Sequence, residues 1–189
     1  MPGYSDERDV RLIPYTTVDG IRTFKDSEIK QFYRRMENDG VAGAVFHAGD
    51  VLDDTAFLNR MKSDNVLLYV VCAGNELAGL VWLTHFEART CRAHFTVFSD
   101  FWGKQSVDIG RDAICQVINM KDLTNTEYIF DVLQGLIPSW NKRGVAWLLG
   151  IGLEIAGTVP GVLWDAERNA SVDGTMFYLT RDLIGEKEQ

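Results

Sequence analysis

The chain's 189 residues suit one domain with a full core, and 46% hydrophobic against 24% charged residues is the balance of a globular protein. With 27 acidic residues against 19 basic ones the formal charge is −8, a poor match for nucleic acid, whose phosphates select basic surfaces. The acidic start MPGYSDERDV is no signal peptide and no run is long and apolar enough to cross a membrane, so the expected location is the cytoplasm, with no membrane partner.

In chain order, 9–17 reads as a strand weakened by Pro14. Residues 27–39 read as a helix with Ser27 as N-cap and Ile29, Phe32, Tyr33 and Met36 on one face. A shorter helix follows at 53–63, with Asp53 and Asp54 at its positive end. Three strands come next, at 65–74, 76–86 and 91–99, joined by a turn at Gly74-Asn75 and a charged bend. FWGKQSVDIGRDAICQVI (101–118) reads as a turn followed by an amphipathic helix capped by Ser106, with Ile109, Ala113 and Val117 inward. Then come a strand at 127–137, a helix at 141–155, and strands at 162–167 and 175–183. This order predicts an α/β (α+β) fold over 1–189: a mixed, mostly antiparallel sheet of about six to seven strands, helices on both faces, and one parallel pair flanking the 106–118 helix.

Cys72, Cys91 and Cys115 with His47, His85 and His94 show neither disulfide nor metal-ligand spacing, so the cysteines are expected in the core and no metal is expected. A glycine turn before a helix exposes unpaired N–H groups at the positive end of the helix dipole, which can receive a phosphate. Lys104 adds a charge there, but neither the GxxxxGK[ST] loop nor a dinucleotide fingerprint is present, and many such turns bind nothing.

The element order resembles that of the Gcn5-related N-acetyltransferases, the GNAT fold. Phe101-Trp102-Gly103-Lys104 resembles the Y-W-G-K-G-Y-A start of the coenzyme A pyrophosphate loop in the branch that modifies ribosomal proteins and amino sugars. LIPSWNKRGVAWLLGIGLEIAGTVPG (136–161) resembles that branch's second signature, with Asn141 at its asparagine and Gly152-Leu153-Glu154 at its Gly-Phe turn. The resemblance implies acetyl-CoA as cosubstrate and direct transfer of acetyl to an amine of an unknown small molecule or protein. It also implies a gap between splayed parallel strands, where Phe95, Thr96, Val97 and Phe98 offer backbone to the pantetheine arm. Gly103, Lys104, Gln105, Ser106, Val107 and Asp108 would hold the pyrophosphate, and Asn141 would contact pantetheine. His94 and Glu87 are the candidate bases and Ser139 the candidate donor to the leaving thiolate.

This chain departs from the family pattern at Gln105, Val107, Asp108 and Gly144, and its last helix lacks a tyrosine, Trp147 being its aromatic residue. Those departures keep a second expectation open: a non-catalytic binding or assembly protein, acting as a homodimer or with another partner, like some GNAT-like proteins of phages and prophages. Trp140, Trp147 and Trp164 are expected in the core or as groove wall. His85 and His94 would stand opposite each other if the hairpin pairs around Arg89-Thr90.

Overall fold

A computed structural model describes residues 9–185; the polar start discussed above falls mostly outside them. The chain opens with strand β1 (Val10–Pro14) and a two-rung hairpin, β2 (Thr17–Val18) and β3 (Ile21–Arg22). Helices α1 (Asp26–Asn38), α2 (Ala42–Val45) and α3 (Asp54–Met61) follow. Lys25, not Ser27, is the N-cap of α1, and its N–H donates to the Glu28 carboxylate at 2.6 Å. Asp53 caps α3 by accepting from the N–H groups of Thr55 and Ala56.

The next three strands are β4 (Leu67–Ala73), β5 (Glu76–Glu87) and β6 (Thr90–Val97), an antiparallel meander. A 3-10 turn at Ser99–Phe101 leads into α4 (Lys104–Ile118). After β7 (Val132–Pro138) comes α5 (Lys142–Gly150), then β8 (Glu154–Asp165), β9 (Ala170–Thr180) and the short α6 (Arg181–Gly185). The helix expected at 141–155 therefore stops five residues early, and the strand expected at 162–167 begins at Glu154. Gly152, at φ 110°, makes the break, and Leu153 is buried beneath it.

Seven strands form one sheet in the order β1-β4-β5-β6-β7-β9-β8, with β6 and β7 its parallel pair. Two apolar layers cover its faces. Ile109, Ala113, Ile114 and Val117 of α4 pack on one, with Cys91, Leu133 and Phe177 of the sheet. Ile29, Tyr33 and Met36 of α1 and Phe57 of α3 pack on the other, with Leu68, Leu80 and Trp82. The mixed sheet with helices on both faces is the architecture expected from the element order. Cys91 is buried as anticipated, and burial pushes its thiol up to about 12, whereas Cys72 and Cys115 are half-buried. Among the described residues no helix is long and apolar enough to cross a membrane, and no cluster of His, Cys, Asp or Glu could hold a metal.

β8 is the outer edge of the sheet. Two bulges interrupt its pairing with β9, around Gly157 and across Pro160-Gly161, and Ile155, Val162 and Trp164 along it are exposed. Trp164 is thus neither core nor groove wall.

Candidate active site

Strands β6 and β7 pair over three rungs only, Thr90 to Arg92 against Val132 to Gln134, and then part. α5 starts at the open end of β7, and the helical start of α4 lies just beyond the end of β6. The resulting cleft is lined by Ala93, His94 and Phe95 on one side and by Pro138, Asn141 and Trp147 on the other, and Ala44, Val45 and His47 of the α2 region close it from the opposite face.

Backbone alternation decides which groups face the cleft. The Phe98 N–H donates to the Ala78 carbonyl of β5 at 2.9 Å, so Thr96 and His94 also turn their backbone groups to β5. Phe95 and Val97 turn theirs toward the cleft. Of the four residues expected to offer backbone, these two do so, and the Val97 carbonyl already accepts from the indole N–H of Trp102 at 2.9 Å.

The loop to α4 turns on Gly103, at φ 88° and ψ −145°, a conformation closed to L side chains. A Cβ there would meet no atom within 4 Å, so the backbone and not space requires glycine. Gly103 is the N-cap. Ser106 sits inside the first turn, where its hydroxyl donates to the Gly103 carbonyl at 2.7 Å and accepts from the Trp147 indole at 3.2 Å, so the expected cap is instead a buried link between α4 and α5. Lys104 and Gln105 are exposed, and their N–H groups have no acceptor within the helix. Val107 packs toward α5 and Asp108 pairs with Arg111 at 3.7 Å, so neither side chain stands over those N–H groups.

Asn141 caps α5 by accepting from the Gly144 N–H at 3.0 Å, and it also lines the cleft. Trp147 reaches across to Phe95, ring centroids 5.0 Å apart. The close approach is made by Gly110 of α4, where a Cβ would collide with the Trp147 ring. A mid-helix glycine beside an otherwise periodic stripe was the signal for this contact.

The histidines are arranged by a bulge. Glu87 pairs with Thr90 around the turn Ala88-Arg89, but the register shifts between Thr84 and Glu87, and His85 adopts φ 52°. The turn at Ala88-Arg89 keeps His85 from facing His94, and the one-residue shift then sets His94 opposite Trp82. Its ring lies flat on that indole, at 5.3 Å and 5°, and Trp82 in turn stacks on Phe46 at 5.8 Å. The Thr84 hydroxyl joins the two histidines, 2.8 Å from His94 Nε2 and 2.8 Å from His85 Nδ1. Desolvation, reinforced by the Arg92 and Arg60 charges, pushes the His94 pKa down to about 3, and the same causes lower that of His85. His94 thus sits in the cleft as a neutral imidazole.

The other two candidates lie apart. Ser139 is at the open end of β7, its hydroxyl 2.8 Å from that of Thr175. Glu87 is exposed at the hairpin end, beyond the rungs where β6 and β7 are still paired.

A mixed sheet that opens between two parallel strands, with a glycine-led helix start at its mouth, defines the GNAT fold. Solved structures carry the same architecture. The chain matches the microcin C7 self-immunity acetyltransferase, in complex with acetyl-CoA and AMP, with a TM-score of 0.67 at 14% identity over 94% of this chain and 96% of that one. It matches spermidine N-acetyltransferase from Vibrio cholerae, in complex with CoA and spermine, with a TM-score of 0.66 at 11% identity over 94% and 98% of the two chains. It matches ribosomal-protein-S5-alanine acetyltransferase from Vibrio fischeri with a TM-score of 0.60 at 16% identity over 93% and 94%. No protein-family model and no curated protein sequence matches the chain.

Proposed function

We propose that this protein is an N-acetyltransferase that carries acetyl from acetyl-CoA directly to an amine. The observation that carries this reading is the parting of β6 from β7 after Arg92, with the Gly103-led start of α4 beside the open end. The residues suit the cosubstrate. The unpartnered N–H groups of Lys104 and Gln105 face the position a pyrophosphate takes at a helix start. Phe95 offers free backbone to a pantetheine amide, and Asn141 stands across the cleft from it. Solved neighbours hold acetyl-CoA or CoA.

In this mechanism the chain aligns an amine with the thioester carbonyl, and proximity supplies most of the rate. The amine attacks, the C–S bond breaks, and the amine proton leaves through water. His94, uncharged in the cleft, accepts a hydrogen bond from the amine without taking its proton, because its pKa is far below that of an ammonium. Ser139, whose hydroxyl is bonded to that of Thr175 outside the cleft lining, is given no step. Glu87, at the closed end of the strand pair, is given no step.

Calorimetric titration tests the reading. Acetyl-CoA is expected to bind with micromolar affinity, and Gly103→Ala, which strains the loop, is expected to weaken it at least tenfold. No heat at millimolar ligand would reject acetyl transfer in favour of a non-catalytic binding or assembly protein. Two contacts favour that second reading: Trp102 occupying the Val97 carbonyl, and Trp147 packed on Phe95 inside the cleft.

A further inference from the structure

We propose that the acceptor carries an anionic group, a carboxylate or a phosphate, close to its amine, and that Arg92 binds it. The proposal rests on the acetyl-transfer reading for the role of the amine.

Arg92 is the last paired residue before the cleft opens. It stands opposite Thr84 of β5 and Gln134 of β7, on the same face as His94 two residues on. Two residues along a strand is about 6.5 Å, so a group at Arg92 and a group at His94 fall within one compact molecule. Arg92 is half-buried, and its Nε is shielded from water with no hydrogen-bond partner. Among the described residues no carboxylate lies within ion-pair distance of it.

In a chain with eight more acidic than basic residues, that is unusual. Arg35, Arg60 and Arg181 keep a quarter to a third of their side chains exposed, and each holds a carboxylate, Asp100, Asp50 and Asp131 respectively. Nothing among the described residues pairs with the sheltered Nε, so its desolvation is not offset there, and burial lowers the Arg92 pKa. Among the described residues the surroundings add no compensating charge. Arg60 and Arg92 both act on His85 and His94, and the Glu154 carboxylate farther along the row is engaged by the Tyr178 hydroxyl at 2.7 Å. A guanidinium is the side chain suited to two-point binding of carboxylate or phosphate.

Two measurements test this. The first is release of CoA thiol with matched acceptors: phenylalanine against phenethylamine, and O-phosphoethanolamine against ethanolamine. The acid-bearing member of at least one pair is expected to react tenfold or more faster, and the two pairs separate carboxylate from phosphate. Arg92→Gln should erase that preference through KM and leave the acetyl-CoA Kd unchanged; Arg92→Lys should keep part of it. Equal rates within both pairs, or a preference that survives in Arg92→Gln, would overturn the proposal.

The second measurement needs no turnover. Inorganic phosphate and acetate, against chloride of equal ionic strength, should raise the melting temperature of the native protein and of Gly103→Ala, but not of Arg92→Gln. Absence of any such difference rejects the site. If the difference is present while acetyl-CoA fails to bind, the anion site stands and the acetyl-transfer reading falls.

Discussion

Trp82→Ala should cost about 3–5 kcal/mol of stability, the usual range for deleting a buried large aromatic side chain. Trp82 is 1% exposed and forms the middle of a ladder, with Phe46 on one face and His94 on the other. Phe46 continues the ladder to Phe57, ring centroids 5.8 Å apart, and so to α3. Removing the indole leaves a cavity between the sheet and the helices and takes away the surface on which His94 rests. Denaturant unfolding measures the loss, and Trp82→Phe, which keeps a ring, should recover a large part of it. The helical start of α4 lies outside the ladder, so acetyl-CoA should bind Trp82→Ala, wherever that variant folds, with nearly native affinity. A loss under about 1 kcal/mol would mean that the neighbouring rings collapse into the space.

The second large effect is a dependence on acid. An unfolded histidine titrates near pH 6.5, but His94 in the fold is held neutral, with a pKa of about 3. Between those values the unfolded chain binds a proton that the folded chain refuses. Stability therefore falls as pH falls, by on the order of 1 kcal/mol per pH unit from about 6.5 downward. His85, lowered by the same desolvation, adds in the same direction. Asp131 works in a separate window. Its hydrogen bonds to Arg89 and Arg181 hold it at about 2, so the stability it contributes is present above the unfolded carboxylate pKa near 4 and is lost only below it. The test is the difference in unfolding free energy between pH 7 and pH 4.5 for the native chain and for His94→Gln. The variant should show a clearly shallower slope. Equal slopes would mean that His94 takes up its proton without unfolding.

That histidine also marks where reading the sequence stopped. A free imidazole has the right affinity for a proton to serve as a general base, and that property, with a place on the strand expected to line the gap, suggested the role for His94. The neutral ring stacked on Trp82 comes from the register of β5 on β6, and that register is set by a bulge at His85 that no local pattern encodes. The strands of the meander were legible because their apolar runs are bounded by Gly74-Asn75 and a charged bend. The end of α5 was legible only as a stop near its glycines, because GVAWLLGIGLEI, apolar but for Glu154, fits a helix or a buried strand equally well. The four-residue helix α2 is too short to show a period, yet it supplies one wall of the cleft. Within the site, Gly103 and Asn141 could be named from their positions before helices. Ser106 could not be placed, since its bond to Trp147 joins residues 41 apart. Arg92 looked like one charge in an alternating strand; what sets it apart is the absence of a neighbour, visible only in three dimensions.

The bulged outer strand β8 has a consequence for how this molecule lives in a crowded solution. An open sheet border with isoleucine, valine and tryptophan side chains beside it would serve as a template for the next chain to zip onto. Here Pro160 has no N–H to offer such a chain, and the bulges at Gly157 and across Pro160-Gly161 twist the border out of line. Copies of the protein meet a ribbon that is sticky in its side chains but uneven in its backbone, so stacking into fibres is blocked at the point where the sheet would otherwise be most open to it.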